Sequence, residues 1–150
     1  MTGPRPIDDA SPGAATSFDL HALLAELEAI ISPRAERRGL RLALARDGAL
    51  PGRVHADRGG LRRLLLVLLG DAVRLARAAI DLRVAVDRKP PRLRGRLAVA
   101  GASPDAIVRR DPGDPRPLAE ELARQLGGEI RREADGLRLE LPVGLAEAAA

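Results

Sequence analysis

The longest apolar run lies between Gly60 and Arg77, where Leu61, Leu64, Leu65, Leu68, Leu69, Ala72, Val73 and Leu75 cover more than one side of a helix. A helix this apolar packs at the centre of a fold, against a sheet. Upstream, Leu20, Leu23, Leu24, Leu27, Ile30 and Ile31 recur at helical spacing and predict a second helix with one buried face. Ser17 or Asp19 is placed to cap it. Pro33 falls inside the pattern and predicts a kink, or a further turn ending at Gly39. A third helix, Leu118 to Leu126, stops at Gly127-Gly128.

Between the helices the period changes to two. Leu40 to Ala45 and Ile80 to Val86 alternate as half-buried strands do, and Leu93 to Val99 reads as the hairpin partner of the latter. Arg53 to Ala56 is a short strand. Glu129 to Arg132 and Leu137 to Leu141 form a last hairpin around Asp135-Gly136, a type I′ turn pair. The order α, β, β, α, β, β, α, β, β predicts an α+β fold. It is a two-layer α/β sandwich, with a mixed, mostly antiparallel sheet and three helices on one face.

Composition narrows the chemistry. The 150 residues suit one domain. Residues 1–16, rich in Pro, Gly, Ala, Ser and Asp, read as a disordered leader, 17–143 as the domain, and 144–150 as a frayed tail. Phe18 is the sole aromatic, so the core must be aliphatic. Absence of cysteine excludes disulfides, thiolate metal sites and cysteine nucleophiles. Of 25 Lys and Arg residues only Lys89 is lysine, so 24 are arginine, which explains a pI near 11.0 at a net charge of only +4. Interspersed acids and missing aromatics argue against nucleic acid as a partner. No apolar leader or membrane-length run is present, so a cytoplasmic location with no membrane partner is expected.

Arg53 to Ala76 resembles the helix that holds Mg-ATP in sensor histidine kinases, which runs D-x-x-R-L-x-Q-x-L-x-N-L-x-x-N-A-x-K. Asp57, Leu61, Leu65, Leu68, Ala72 and Arg74 keep its frame. Phe18-Asp19-Leu20 with Leu23 and Leu24 resembles the FDLxxLL opening of the same domain. Pro33 to Leu40 resembles its PxAxxKGL continuation, Leu122 to Gly128 its last helix end, and Leu137 to Pro142 its closing strand. Together these segments resemble the catalytic, ATP-binding domain of bacterial histidine kinases, the GHKL or Bergerat fold, over Phe18 to Val143.

The resemblance implies a nucleotide pocket, and it departs from the family's pattern at the chemical positions. Val67 and Asp71 replace the two asparagines; Asp71 takes the Mg²⁺-ligand position, and Arg74 stands at the basic position that contacts phosphate. Ala100 stands where an aspartate receives the adenine amino group, next to Gly101 and with Ala102 at a glycine position. The lid segment keeps Gly113, but Pro112, Pro115 and Pro117 remove N–H donors and Asp111 and Asp114 repel phosphate. His21 belongs to the first helix and does not sit in a phosphoacceptor motif; His55 reads as structural. The expected function is thus a noncatalytic, degenerate module of two-component signalling. It docks on a response regulator or on a histidine kinase dimerisation domain, with no cofactor. The alternatives are a divergent kinase subunit that binds Mg-ATP through Asp71 and Arg74, and a remnant of a hybrid kinase. No Ser, His and Asp arrangement suggests a hydrolase.

Overall fold

Two aspartates start the two long helices. In the computed structural model, which describes residues 15–46, 51–100, 116–133 and 136–145, strand β1 (Ala15–Asp19) runs straight into helix α1 (Leu20–Arg37). Asp19 caps α1 by accepting from the Ala22 N–H at 3.2 Å. Strands β2 (Arg41–Arg46) and β3 (Arg53–Asp57) follow, and then helix α2 (Arg58–Leu75). Asp57 caps α2, accepting from Gly60 N–H at 2.8 Å. In each case a carboxylate satisfies one of the N–H groups that a helix start leaves without a partner. The chain continues through β4 (Ala79–Arg88), β5 (Pro91–Ala100), α3 (Arg116–Gln125), β6 (Glu129–Glu133), β7 (Gly136–Pro142) and β8 (Gly144–Leu145).

The main sheet has the order β2-β4-β5-β7-β6, with β2–β4 parallel and the other pairs antiparallel. The expected α+β class with a mixed, mostly antiparallel sheet and three helices therefore holds. The addition is a second sheet, β1-β3-β8. Strand β1 takes in Ala15 and Thr16 of the expected leader, and β8 takes in Gly144 and Leu145 of the expected tail. Both are edge segments that carry little pattern of their own and are defined by pairing with β3. Ser17 lies within β1, so Asp19 alone is the cap.

Two further expectations need correction. Helix α1 runs on through Pro33 to Arg37. Pro33 and Ala29, whose carbonyl the proline leaves without its helical donor, are both exposed, so water can take that bond. The helix then ends at Gly39, whose φ of +70° is the left-handed conformation that closes a helix. Gly136 is not a turn residue. It opens β7 opposite Glu133 and Ala98, where a Cβ would sit 1.7 Å from the Leu97 carbonyl oxygen. Backbone contact with β5 thus demands glycine there. Asp135 lies outside the described residues.

The core lies between the main sheet and the helices. Leu61, Leu64, Leu65, Leu68 and Leu69 of α2 meet Leu23, Leu27 and Ile31 of α1, Leu122 of α3, and Ile80, Leu82, Leu93, Leu97, Leu137 and Leu139 of the sheet. A Cβ on Gly60 would lie 2.8 Å from the Leu126 side chain and 2.7 Å from the Asp57 carboxylate. The start of α2 therefore packs closely against the end of α3. On the outer side of the helices, Glu26 of α1 accepts hydrogen bonds from Arg62 and Arg58 of α2, the latter at 2.8 Å. The Arg62 bond, then the Arg58 bond, hold the Glu26 carboxyl below its ordinary value of 4.5.

Three outcomes follow from this packing. Leu68 is 5 % exposed and lines an apolar void of about 10 Å³. Leu68→Ala enlarges that void and is expected to lower stability by about 2–5 kcal/mol in urea unfolding. Gly95→Ala places a methyl group at ordinary contact distance, 3.6 Å from Leu139 and 3.9 Å from Leu82. It is expected to raise stability by about 0.5–1 kcal/mol. Glu26→Gln is expected to cost no more than about 1 kcal/mol at pH 7, because the cluster is about a third exposed. A lowered folded pKa means the Glu26 contribution is full above pH 4.5 and fades as pH falls through the folded value. The gap between parent and Glu26→Gln should accordingly close in unfolding curves taken below pH 4.5.

Candidate functional site

The end of α2 and the end of β5 meet at one corner. Ala100 closes β5, and its carbonyl accepts from the N–H groups of Arg77 and Ala78, at 3.3 and 3.1 Å, as the chain leaves α2. This stitch brings the last turn of α2, with Asp71 and Arg74, beside the β5 terminus. Of the residues that the sequence singles out, Val67, Asp71, Arg74 and Ala100 are thus described. Gly101, Ala102 and Gly113 lie outside the described residues, as do the lid positions Asp111, Pro112, Asp114 and Pro115.

Within α2, Val67 and Asp71 are four residues apart and share a face. Val67 is half-buried and packs against the core, contributing only hydrocarbon. Asp71 differs from expectation. Its placement beside a ligand pocket predicts a carboxylate near water, yet the side chain is only 8 % exposed. Arg74, one turn on, donates from Nη2 to Asp71 Oδ1 at 2.7 Å and remains 52 % exposed. The cause is local. A carboxylate sunk among Leu68, Ala72 and the core is costly unless paired, and the i+3 arginine supplies the pair without leaving water.

The first helix adds basic groups that sequence reasoning missed. The Arg38 guanidinium donates to the Arg74 carbonyl at 3.4 Å, and an Arg34 nitrogen lies 3.9 Å from where a Gly70 Cβ would stand. The signal was available: Arg34 and Arg37 fall in the last turn of α1, where cations suit the helix dipole. The corner therefore holds one buried carboxylate, neutralised by Arg74, within a rim of exposed arginines. That arrangement can attract an anion. Among the described residues no cluster of three or more His, Asp or Glu side chains is arranged to hold a metal ion. His21 is half-buried on the first turn of α1, and His55 is exposed on β3 beside Gly144. No helix among the described residues is long and apolar enough to cross a membrane.

With this geometry, solved structures give the fold. Full-length ShkA in complex with AMPPNP superposes with a TM-score of 0.75 at 27% identity, over 94% of this chain and 34% of that one. The catalytic domain of histidine kinase ThkA gives 0.68 at 17% identity, over 86% of this chain and 96% of the domain. Histidine kinase ThkA in complex with response regulator protein TrrA gives 0.67 at 15% identity, covering 88% and 42%. The chain spans about a third of ShkA's length. No protein-family model matches the chain, and no curated protein matches it. The chain has the fold of a histidine kinase catalytic domain, as the sequence resemblance implies.

The burial of Asp71 reverses the stability expectation that a water-facing carboxylate would carry. Asp71→Asn keeps the shape and removes the charge-assisted bond. It is expected to lower stability by about 1 kcal/mol, small because Arg74 can turn to water. Arg74→Gln, which leaves the buried carboxylate without its cation, should cost more than Asp71→Asn in the same unfolding assay.

Proposed function

We propose that this chain is a noncatalytic module built on the histidine kinase ATPase fold, which works by docking on a two-component partner. That partner is a response regulator or the dimerisation domain of a histidine kinase. The observation that carries the reading is the state of Asp71. The one acidic oxygen donor that the fold places at the end of α2 is buried and already bonded to Arg74 at 2.7 Å. To ligate Mg²⁺ the carboxylate would have to share its charge with that guanidinium, which already engages Oδ1. Val67 has no ligand atom, and the Ala100 side chain has no acceptor for an adenine amino group. The described residues thus fit Mg-ATP poorly. The partner kind draws its support from histidine kinase ThkA, which has the same fold and was solved with response regulator protein TrrA.

A second reading, a divergent ATP-binding subunit, has one observation behind it. ShkA, 27% identical over 94% of this chain, was solved with AMPPNP, and the exposed Arg74 and Arg38 offer cations to a phosphate. Titration calorimetry separates the two. Millimolar Mg-ATP is expected to give no measurable heat of binding to the full chain. A dissociation constant in the low micromolar range, weakened by Asp71→Ala, would establish the divergent kinase reading and overturn the noncatalytic one.

A further inference from the structure

On the face of the main sheet turned away from the helices, strand register sets four arginines in one row. Arg83 of β4 lies opposite Arg96 of β5, Arg96 opposite Arg138 of β7, and Arg138 opposite Arg131 of β6. A polar outer face is ordinary for such a sheet. A row of one sign is not, because directly opposed like charges lower sheet stability. The neighbouring rows, Asp81–Ala98–Gly136–Glu133 on one side and Ala85–Arg94–Glu140–Glu129 on the other, hold no opposed pair of arginines, and their one opposed like-charge pair, Glu140–Glu129, is acidic.

A groove of about 430 Å³ lies over three members of this row, Arg83, Arg96 and Arg138. Its lining holds Arg46, Arg83, Arg94, Arg96 and Arg138 and no acidic residue, with Ala45 and Ala85 forming a low floor. Acids stand outside the lining. Glu133 takes Arg96 at 3.2 Å and Arg138 at 3.0 Å, Asp87 takes Arg94 at 2.9 Å, and Asp81 lies 3.9 Å from Arg83. Each of these contacts uses one nitrogen of a guanidinium that carries five N–H donors. Arg83 and Arg96 remain 72 % and 62 % exposed. Arg46 has no ion pair among the described residues.

The spacing of the row selects the partner. Adjacent strands lie about 4.8 Å apart, so the row presents a cation roughly every 5 Å along a line across the strands. Side chains three or four residues apart on a helix repeat every 5–6 Å along its surface. An extended acidic strand repeats on one face at about 6.7 Å and falls out of step within a few residues. The chain's single aromatic, Phe18, is buried, so the face offers no platform for stacking bases. We infer that this arginine groove docks a partner helix that carries Asp and Glu in a line along one face. The inference deepens the docking reading by naming the surface and the partner's chemistry, and it is independent of nucleotide binding.

The test uses the full chain and two end-blocked synthetic helices of identical composition. One carries Glu at i, i+4, i+7 and i+11, and the other spreads the same residues around the helix. In fluorescence anisotropy at 0.15 M salt, the lined helix is expected to bind about tenfold more tightly than the scattered one. The doubly substituted chain Arg96→Gln, Arg138→Gln should lose that preference while its far-UV circular dichroism spectrum stays that of the parent, because both side chains stand on the open face, 62 % and 45 % exposed. Glu133→Gln, which removes the carboxylate competing for both arginines, should tighten binding. The inference is overturned by equal affinity for the two helices, by no binding of the lined helix at millimolar concentration, or by a preference that survives in the double variant. It is overturned equally if Glu133→Gln leaves binding unchanged or weaker, or if inorganic polyphosphate or single-stranded RNA binds more tightly than the lined helix. Low-micromolar binding of Mg-ATP, by contrast, would remove the noncatalytic reading and leave this face as it stands.

Discussion

Helix α2 is apolar on nearly every side, and with one aromatic in the chain its neighbours must match it with aliphatic side chains alone. That constraint organises the domain. Leu, Ile, Val and Ala have to interdigitate closely enough that no large ring is needed to fill space. The small apolar void among Leu65, Leu68, Leu82 and Leu97 marks where they fall just short. Close approach is bought at glycines: Gly60 lets α2 reach α3, and Gly136 lets β7 reach the β5 backbone. The caps at Asp19 and Asp57 set where the two long helices begin, and so which leucines face the sheet.

Much of this was legible because it is local. The helical periodicity, the alternation in β4, β5 and β7, and the Asp19 cap depend on residues close in sequence. What was not legible depends on partners distant in sequence. Strand β1 and the two residues of β8 exist because β3 offers an edge to each. Gly136 looks like half of a turn until its distance from the Leu97 carbonyl is known. The continuation of α1 through Pro33 depends on Ala29 facing solvent.

The candidate corner divides along the same line. The positions of Asp71, Arg74, Val67 and Ala100 follow from alignment of the α2 and β5 segments with a known pattern. The burial of Asp71 does not. An acid in an apolar helix reads as a remnant of chemistry facing a ligand, but its depth is set by how far α2 sinks among its neighbours. Once sunk, the carboxylate needs a cation within reach, and an arginine at i+3 meets that need. The residue that suits phosphate contact in the family pattern is here tied by one nitrogen to stabilising its own helix.

The two faces of the molecule differ in how they arrange arginine. On the helix side, Arg74 compensates a buried charge, and Arg58 and Arg62 fasten α2 to α1 through Glu26. In both places a guanidinium sits against a carboxylate, and the pairing lowers the energy of the fold itself. On the open sheet face, Arg83, Arg96, Arg138 and Arg131 face one another across four strands, and the acids lie to the sides of the row. Opposed like charges act against the sheet, and in the free domain Asp81, Glu133 and Glu129 offset them. A sequence shaped only for folding would place acids or β-branched residues at those crossings. The mismatch between what the sheet needs and what the sequence supplies is relieved when carboxylates from outside line the groove. Strand register fixes the spacing of these charges on a rigid surface before any partner arrives, so a docking helix finds its cations already in place.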